Sequence, residues 1–314
     1  MGFFSAIGRA FSGAISSLGR IATGVVKAAA GAIGGVMRSA VGALASLGAK
    51  VGGVLGGVLT KGAGVLGTFG TILSGPLGTF LAPILVQVLI HFAGKLIESI
   101  AKKDGTLDPE DNIEDVGYRM EEAAEHPEWK KMEEFENLHD YHAYLKEQIP
   151  AADIDQQKMR QNRFRYTCTG IAAVRDEWAK RLGIGIPDSF IFDFSRAKLT
   201  EVEISLIIDV FKSLGASSVQ FHDFLTGKMT QEELKTIQDG ILQAYLKAYP
   251  DKSAVDAVAR INEWKQAATD DGAAVQNHYE AMEAVTKDMR RQEESGVPEK
   301  DIVIDVQAIE TAGR

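Results

Sequence analysis

Apolar and small residues recur every eleven positions through the first third of this chain. One column is apolar along its whole length: Phe11, Ala22, Ile33, Leu44, Leu55, Leu66 and Leu77. A second column carries glycine: Gly31, Gly42, Gly53, Gly64 and Gly75. Eleven residues make three turns of about 3.67 residues each, so each column forms a nearly straight stripe along a helix. The pattern therefore predicts a long glycine-rich amphipathic helix, or a helical hairpin.

The side of this helix opposite the apolar column is small and weakly basic. Its basic residues are sparse and regular: Arg9, Arg20, Lys27, Arg38, Lys50 and Lys61. An ionised side chain is costly in hydrocarbon, whereas a head-group layer or a water-filled lumen tolerates it. We expect these residues to face lipid head groups or a lumen. A solvated surface without further function is the alternative.

Glycine is concentrated in the same region, with 21 of the 32 glycines before residue 104. Each costs up to about 1 kcal/mol against alanine in a helix, so helix propensity cannot stabilise this region. A bilayer imposes helix despite glycine, and glycine faces let helices approach closely. We expect six glycines to lie at helix contacts: Gly31, Gly35, Gly42, Gly53, Gly57 and Gly64.

Residues 62–94 contain no ionised side chain apart from His91. As a helix, residues 77–94 would span about 27 Å, close to a bilayer core of about 30 Å. Lys95 and Lys102 would then anchor one end at the interface. The candidate membrane-inserting residues are Leu77, Phe80, Leu81, Ile84, Leu85, Val88, Leu89 and Phe92. The alternative is a buried helix of a soluble core, for which the acidic remainder of the chain offers little apolar surface.

Charge divides the chain into two parts. The net charge of −9 is the difference between +8 for residues 1–103 and −17 for residues 104–314. This division predicts three segments: a hydrophobic membrane-inserting or self-assembling region at 1–103, an acidic soluble helical domain at 104–300, and an extended tail at 301–314. The single cysteine, Cys168, excludes a disulfide within the chain.

Residues 105–300 show ordinary helix start and stop signals. Capping boxes occur at Thr200 to Glu203 and Thr230 to Glu233, and Ser253 with Asp256 forms a third start signal. The predicted helices cover residues 111–125, 128–148, 152–182, 200–214, 218–226, 231–248 and 253–293. The predicted fold class is therefore all-α, with a multi-helix acidic domain after the repeat.

Chemical motifs are sparse. His139 and His142 lie three residues apart on a predicted helix, which is half of a metal site without a second ligand pair. Asp104, Asp108, Asp111 and Asp115 form an acidic stretch that lacks the central glycine of an EF-hand loop. No phosphate loop, nucleophile elbow or catalytic dyad is present. We expect no enzyme activity, no cofactor and no metal site.

Residues 1–100 resemble two groups of proteins. The eleven-residue period is similar to that of apolipoproteins, synucleins and perilipins, but those helices are rich in acids and this region is not. The richness in Gly, Ala and Val resembles the membrane-active segments of bacteriophage tape-measure, pilot and ejection proteins. This resemblance implies a virion or a secreted particle as the source and a target-cell membrane as the destination.

These observations favour an oligomerising protein that penetrates membranes and forms a pore or conduit, with a phage or injection machine as its carrier. The expected partners are a lipid bilayer, further copies of the chain and a component of that machine; sequence-specific nucleic acid is not expected. The alternative is a structural component of a virion or tube, whose glycine-rich helices pack without contacting lipid.

Overall fold

The computed structural model describes residues 38–73 and 82–269, and this part of the chain is helical. Three helices form its N-terminal part: α1 (38–51), α2 (Gly53–Leu73) and α3 (Ala82–Lys103). The following helices are α4 (Ile113–Ala124), α5 (Leu138–Gln148), α6 (Gln156–Leu182), α7 (Asp188–Arg196), α8 (Glu201–Ser213), α9 (Phe221–Thr226), α10 (Gln231–Ala248) and α11 (Ala254–Thr269). Short 3-10 turns cover Met132–Glu134 and Ala151–Asp153.

The predicted all-helical class is confirmed for this part of the chain. Its residues form no β-strand, and Gly185 and Ser218 make a single isolated bridge. The predictions for residues 1–37, 74–81 and 270–314 lie outside the described residues.

Two glycines divide the repeat between α1 and α2. Gly52 and Gly53 have φ angles of +64° and +61°, in the left-handed region that favours glycine. The turn brings Gly48 against α2, where a Cβ on Gly48 would lie 2.7 Å from the Gly56 carbonyl oxygen. The repeat is therefore split into separate helices at this point.

Over residues 38–68, the apolar column and the basic side of the eleven-residue repeat differ in solvent exposure. Leu44, Leu55 and Leu66 of the apolar column are all buried. Arg38, Lys50 and Lys61 on the opposite side are exposed. This division is what an amphipathic pattern of eleven residues predicts. Whether the basic side meets head groups or a lumen stays a prediction.

Helix α6 is the central element of the described part. Ten consecutive residues, 166–175, are buried, so this stretch is covered on every side. Helices that are covered all round lie inside a protein rather than at its surface. Helices α2, α3, α4 and α5 pack around α6 and provide this cover.

Helices α4 and α6 cross with their backbones in contact. A Cβ on Gly117 of α4 would overlap the carbonyl oxygen of Tyr166, and one on Gly170 of α6 would overlap the carbonyl oxygen of Ile113. The two contacts are reciprocal. Gly117 follows Ile113 by four residues on α4, and Gly170 follows Tyr166 by four residues on α6, so each glycine lies about one turn from the carbonyl that the other glycine faces. The crossing therefore depends on the absence of both side chains.

One apolar core crosses the predicted border at residue 103. It runs from Ala40 in α1 to Trp264 in α11 and includes buried side chains of every helix from α1 to α11. At its C-terminal end, Phe190, Phe221 and Trp264 pack edge to face, with ring centroids 5.7 and 5.9 Å apart. The acidic part thus supplies the apolar partner surface that its composition did not lead us to expect. The border itself stays a prediction.

Candidate functional site

Three carboxylates of the acidic part contact one face of α2. Glu133, in the 3-10 turn Met132–Glu134, accepts a hydrogen bond from the backbone N–H of Val54. Asp176 of α6 forms an ion pair of 2.8 Å with Lys61. Asp188, the first residue of α7, lies 3.5 Å from the Thr68 hydroxyl. We call Glu133, Asp176 and Asp188 the carboxylate seam.

The seam follows helical geometry. Its contacts on α2 fall at positions 54, 61 and 68, which are seven residues apart and therefore on one side of a helix. Glycines allow the approach at both ends: a Cβ on Gly53 would overlap the Glu133 carboxylate, and one on Gly64 would lie 3.1 Å from Asp188 Oδ2. Glu133 also lies at the positive end of the α2 dipole, where an anion is stabilising.

Asp188 is the most buried acid of the seam. Burial raises the pKa of its carboxyl above the usual range, although the Arg175 guanidinium and the Thr68 hydroxyl oppose this shift. Arg175 is itself buried, with 7% of its side chain exposed, and it pairs with both Asp188 and Asp176. Because Arg175 bridges two acids of the seam, their carboxylates are held in fixed positions facing α2.

A fourth acid contacts α3. Glu201, the first residue of α8, accepts hydrogen bonds from Ser99 and Lys103. These two bonds lower the pKa of the Glu201 carboxyl. The acidic part therefore contacts both α2 and α3 through carboxylates.

Charged side chains are also buried where α3, α4 and α6 meet. Glu98 of α3 accepts a hydrogen bond from the Ile113 N–H at 3.2 Å and pairs with Lys102 at 2.9 Å. Glu114 of α4 pairs with Arg163 of α6 at 2.8 Å, and His91 Nδ1 lies 4.0 Å from the same carboxylate. Buried charges need such partners, because desolvation without them is expensive.

Glu121 of α4 lies directly beneath the contact between α2 and α6. Its carboxylate pairs with Arg165 Nε at 2.9 Å and accepts a hydrogen bond from the Thr169 hydroxyl at 2.9 Å. The backbone of Thr169 in turn touches Gly62 of α2, where a Cβ would lie 3.2 Å from the Thr169 Cα. Burial raises the pKa of Glu121 to about 7, with Arg165 and Thr169 opposing the shift.

This raised pKa predicts that the fold becomes more stable as pH falls from 7 towards 4.5. The folded state holds a proton on Glu121 that the unfolded chain releases in this range, so acidification favours folding. The contribution is up to about 3 kcal/mol and is lost as pH rises through 7. Urea unfolding of the wild type and of Glu121→Gln at pH 5 and pH 8 measures it.

The Glu121→Gln protein should lose most of this pH dependence, because glutamine does not titrate and its amide oxygen can still accept from Thr169. Glu122→Gln is the matched control, since Glu122 is more exposed and pairs with Lys158 at the surface. Parallel pH profiles for Glu121→Gln and the wild type would contradict this role of Glu121.

The pair His139 and His142 and the acidic stretch from Asp104 to Asp115, neither of which was expected to form a metal site, come together in the fold. His139 Nε2 lies 3.1 Å from Asp108 Oδ1, and His142 Nδ1 lies 3.2 Å from Asp111 Oδ2. Lys146 Nζ lies 2.6 Å from Asp108 and 3.0 Å from Asp111. Carboxylate oxygens of Asp108, Glu110 and Asp111 lie within 4.8 Å of one another. The spacing of each group along the chain did not predict that they would meet.

In this cluster, the Lys146 ammonium group supplies the positive charge that neutralises the carboxylates of Asp108 and Asp111. Burial raises the pKa of Asp111, but its bonds to His142 and Lys146 outweigh this effect, and the net pKa lies well below the usual range. Hydrogen bonding to Asp108 raises the pKa of His139, with burial opposing it. The cluster joins the loop before α4 to α5, and a divalent cation would have to displace Lys146 from it.

The glycines predicted at helix contacts have different environments. A Cβ on Gly42 or Gly57 would meet no atom within 4 Å, whereas Gly53 and Gly64 contact the seam. Among the glycines that the structure describes, the tightest contacts are made by two outside that prediction, Gly117 and Gly170. Gly31 and Gly35 lie outside the described residues, as do Arg9, Arg20 and Lys27 on the basic side.

The candidate membrane-inserting residues are described only in part. Leu77, Phe80 and Leu81 lie outside the described residues. Ile84, Leu85 and Val88 are in α3. Leu89 is buried and Phe92 is 38% exposed. In the described ranges 38–73 and 82–269, no helix has both the length and the apolar character needed to cross a bilayer.

Comparison with known proteins adds nothing to this description of the site. No protein-family model, curated protein or solved structure matches this chain.

Proposed function

We propose that this chain is a membrane-penetrating, oligomerising protein that forms a pore or conduit. One observation carries the proposal: where the eleven-residue pattern is described, its apolar column is buried and its basic side is exposed. The same columns continue through residues 1–37. An apolar stripe of that length needs cover, and a bilayer or further copies of the chain would supply it.

The charge of the repeat supports a lipid partner. Residues 1–103 carry +8, and the described basic residues Arg38 and Lys50 are exposed. Basic residues beside an apolar stripe favour surfaces that contain anionic lipid. The resemblance to phage tape-measure, pilot and ejection proteins favours a phage or an injection machine as the carrier.

A second candidate function is a structural component of a virion or tube. The observation that favours it is the exposed side of α1, where Ser39, Gly42, Ser46 and Ala49 present small side chains to solvent. Small faces let helices of neighbouring copies approach closely. In this case the chain would assemble in buffer without lipid and would leave vesicles intact.

Leakage from anionic vesicles tests the proposal. We expect the full chain to release an entrapped dye, and Leu85→Arg to reduce the release at least about tenfold, because a charge in hydrocarbon costs several kcal/mol. Val255→Arg is the matched control, since Val255 is 78% exposed on α11 and the substitution adds the same charge. Assembly in buffer together with intact vesicles would favour the structural alternative.

A further inference from the structure

The contacts between the two parts of the chain divide into an apolar and a polar set. We call α1, α2 and α3 the arm, and residues 104–269 the body. Apolar side chains of the arm such as Val58, Leu59 and Leu66 are almost fully buried. The polar set includes the carboxylate seam on α2 and Glu201 on α3, together with the buried contacts of Glu98 with the Ile113 N–H and of His91 with Glu114.

The two sets respond differently to a bilayer. Lipid tails are as apolar as a protein core, so moving the arm from the body to a bilayer leaves the arm's own apolar burial nearly unchanged, whereas the faces of α4 and α6 that the arm covered then need lipid cover of their own. The polar contacts are lost in the same move. Within the polar set, the seam and Glu201 hold the exposed residues Lys61 and Lys103, so they are the contacts that a membrane surface can reach.

Anionic lipid competes for the same basic residues. Lys61 and Lys103 pair with acids of the body, yet 54% and 67% of their side chains stay exposed. Exposed ion pairs contribute little each, and a basic residue near an anionic membrane gains a comparable free energy. The attraction of these lysines to the acids of the body and their attraction to anionic lipid are thus of similar size. A membrane surface can therefore replace the body as the partner of Lys61 and Lys103.

The arm also exposes apolar side chains for a first contact with lipid. Val51, Val54 and Phe92 are between 36% and 48% exposed. Val54 follows Gly53 at the Glu133 end of the seam, so lipid contact there would occur beside a polar contact that holds α2.

We propose that the arm is releasable: the carboxylate seam and Glu201 hold it on the body, and anionic lipid head groups compete with these acids, so that the arm leaves the body at an anionic membrane. This inference rests on the proposed function. It adds that the arm is held on the body until the protein reaches a membrane.

A reversible cross-link tests the release. A Cβ on Gly94 of α3 would lie 2.6 Å from Thr167 Cγ2 of α6, which places the two Cβ atoms within about 4 Å, the range of a disulfide. Gly94→Cys with Thr167→Cys, in a chain that also carries Cys168→Ala, should form this bond. We expect the oxidised protein to lose at least nine-tenths of its leakage activity on anionic vesicles, and the reduced protein to regain it.

Substitutions in the seam test the same inference without a cross-link. Glu133→Gln with Asp176→Asn removes two seam charges and should speed leakage about three- to tenfold. The matched control, Glu147→Gln with Asp209→Asn, removes two exposed charges of the body outside the seam. This control should leave the rate within twofold of the wild type. Vesicles of zwitterionic lipid should give little leakage with every variant.

The outcomes separate the two proposals. If the wild type and the reduced cross-linked protein both leave anionic vesicles intact, the proposed function fails. If the wild type causes leakage and the oxidised protein causes it equally, the function stands and the release is overturned. Equal acceleration by the seam variant and its control would also overturn the role of the seam.

Discussion

Replacing Gly117 by alanine should prevent α4 and α6 from packing as they do. The added methyl group would overlap the Tyr166 carbonyl oxygen, and backbone atoms of two buried helices cannot move aside as a flexible side chain would. Overpacking of a core costs about 1–3 kcal/mol, and a clash between backbones lies at or above the top of that range. Urea unfolding should therefore show a loss of at least about 3 kcal/mol, or no cooperative folding at all.

Gly170→Ala should behave in the same way, because its methyl group would overlap the Ile113 carbonyl oxygen. Gly57→Ala is the control: no atom lies within 4 Å of its Cβ position, so alanine should stabilise α2 by up to about 1 kcal/mol through helix propensity. Equal stability of Gly117→Ala and the wild type would show that α4 and α6 do not cross in this way.

Residues 105–314 produced alone should fail to fold as a compact unit. Among the side chains that the structure describes, α1–α3 contribute nine large buried apolar ones to the common core: Leu44, Leu55, Val58, Leu59, Val65, Leu66, Leu89, Ile90 and Ile97. Burying each contributes about 1.5–3 kcal/mol, so their loss is on the order of 10 kcal/mol or more. The whole stability of a domain is about 5–15 kcal/mol.

Thermal unfolding followed by circular dichroism, together with a size measurement, checks this prediction against the full chain. We expect the fragment to unfold over a broad temperature range and to self-associate. Without α1–α3, the apolar faces of α4 and α6 that these helices cover are exposed to water. The acidic composition alone predicts a soluble domain, so a cooperative monomer of residues 105–314 would support that simpler interpretation and contradict the importance of the shared core.

The helices of the acidic part were largely predictable because their start signals are local. Thr200 and Thr230 each form the predicted capping box with a glutamate three residues later, and Ser253 exchanges bonds with Asp256. Helix α7 was missed because it has nine residues and no side-chain cap at Pro187. The spacing of Phe190, Ile191 and Phe194, all buried, is the signal that could have indicated it.

The candidate site was less predictable, because its residues meet only through the fold. The seam acids Glu133, Asp176 and Asp188 belong to no motif, and each contacts α2 across 79 to 120 residues of sequence. The eleven-residue pattern places Leu44, Leu55 and Leu66 on one side of α1 and α2, and all three are buried. It could not predict whether that side meets lipid, another copy or the body, since apolar burial is not directional.

A probe at position 85 tests most directly whether the repeat enters a membrane. Leu85→Cys, in a chain that carries Cys168→Ala, would be labelled with a fluorophore and mixed with anionic vesicles that contain a nitroxide lipid as quencher. Val255→Cys is the matched control on the exposed side of α11. Our account predicts strong quenching at position 85 and little at position 255; no quenching at position 85, on vesicles that bind the protein, would contradict it.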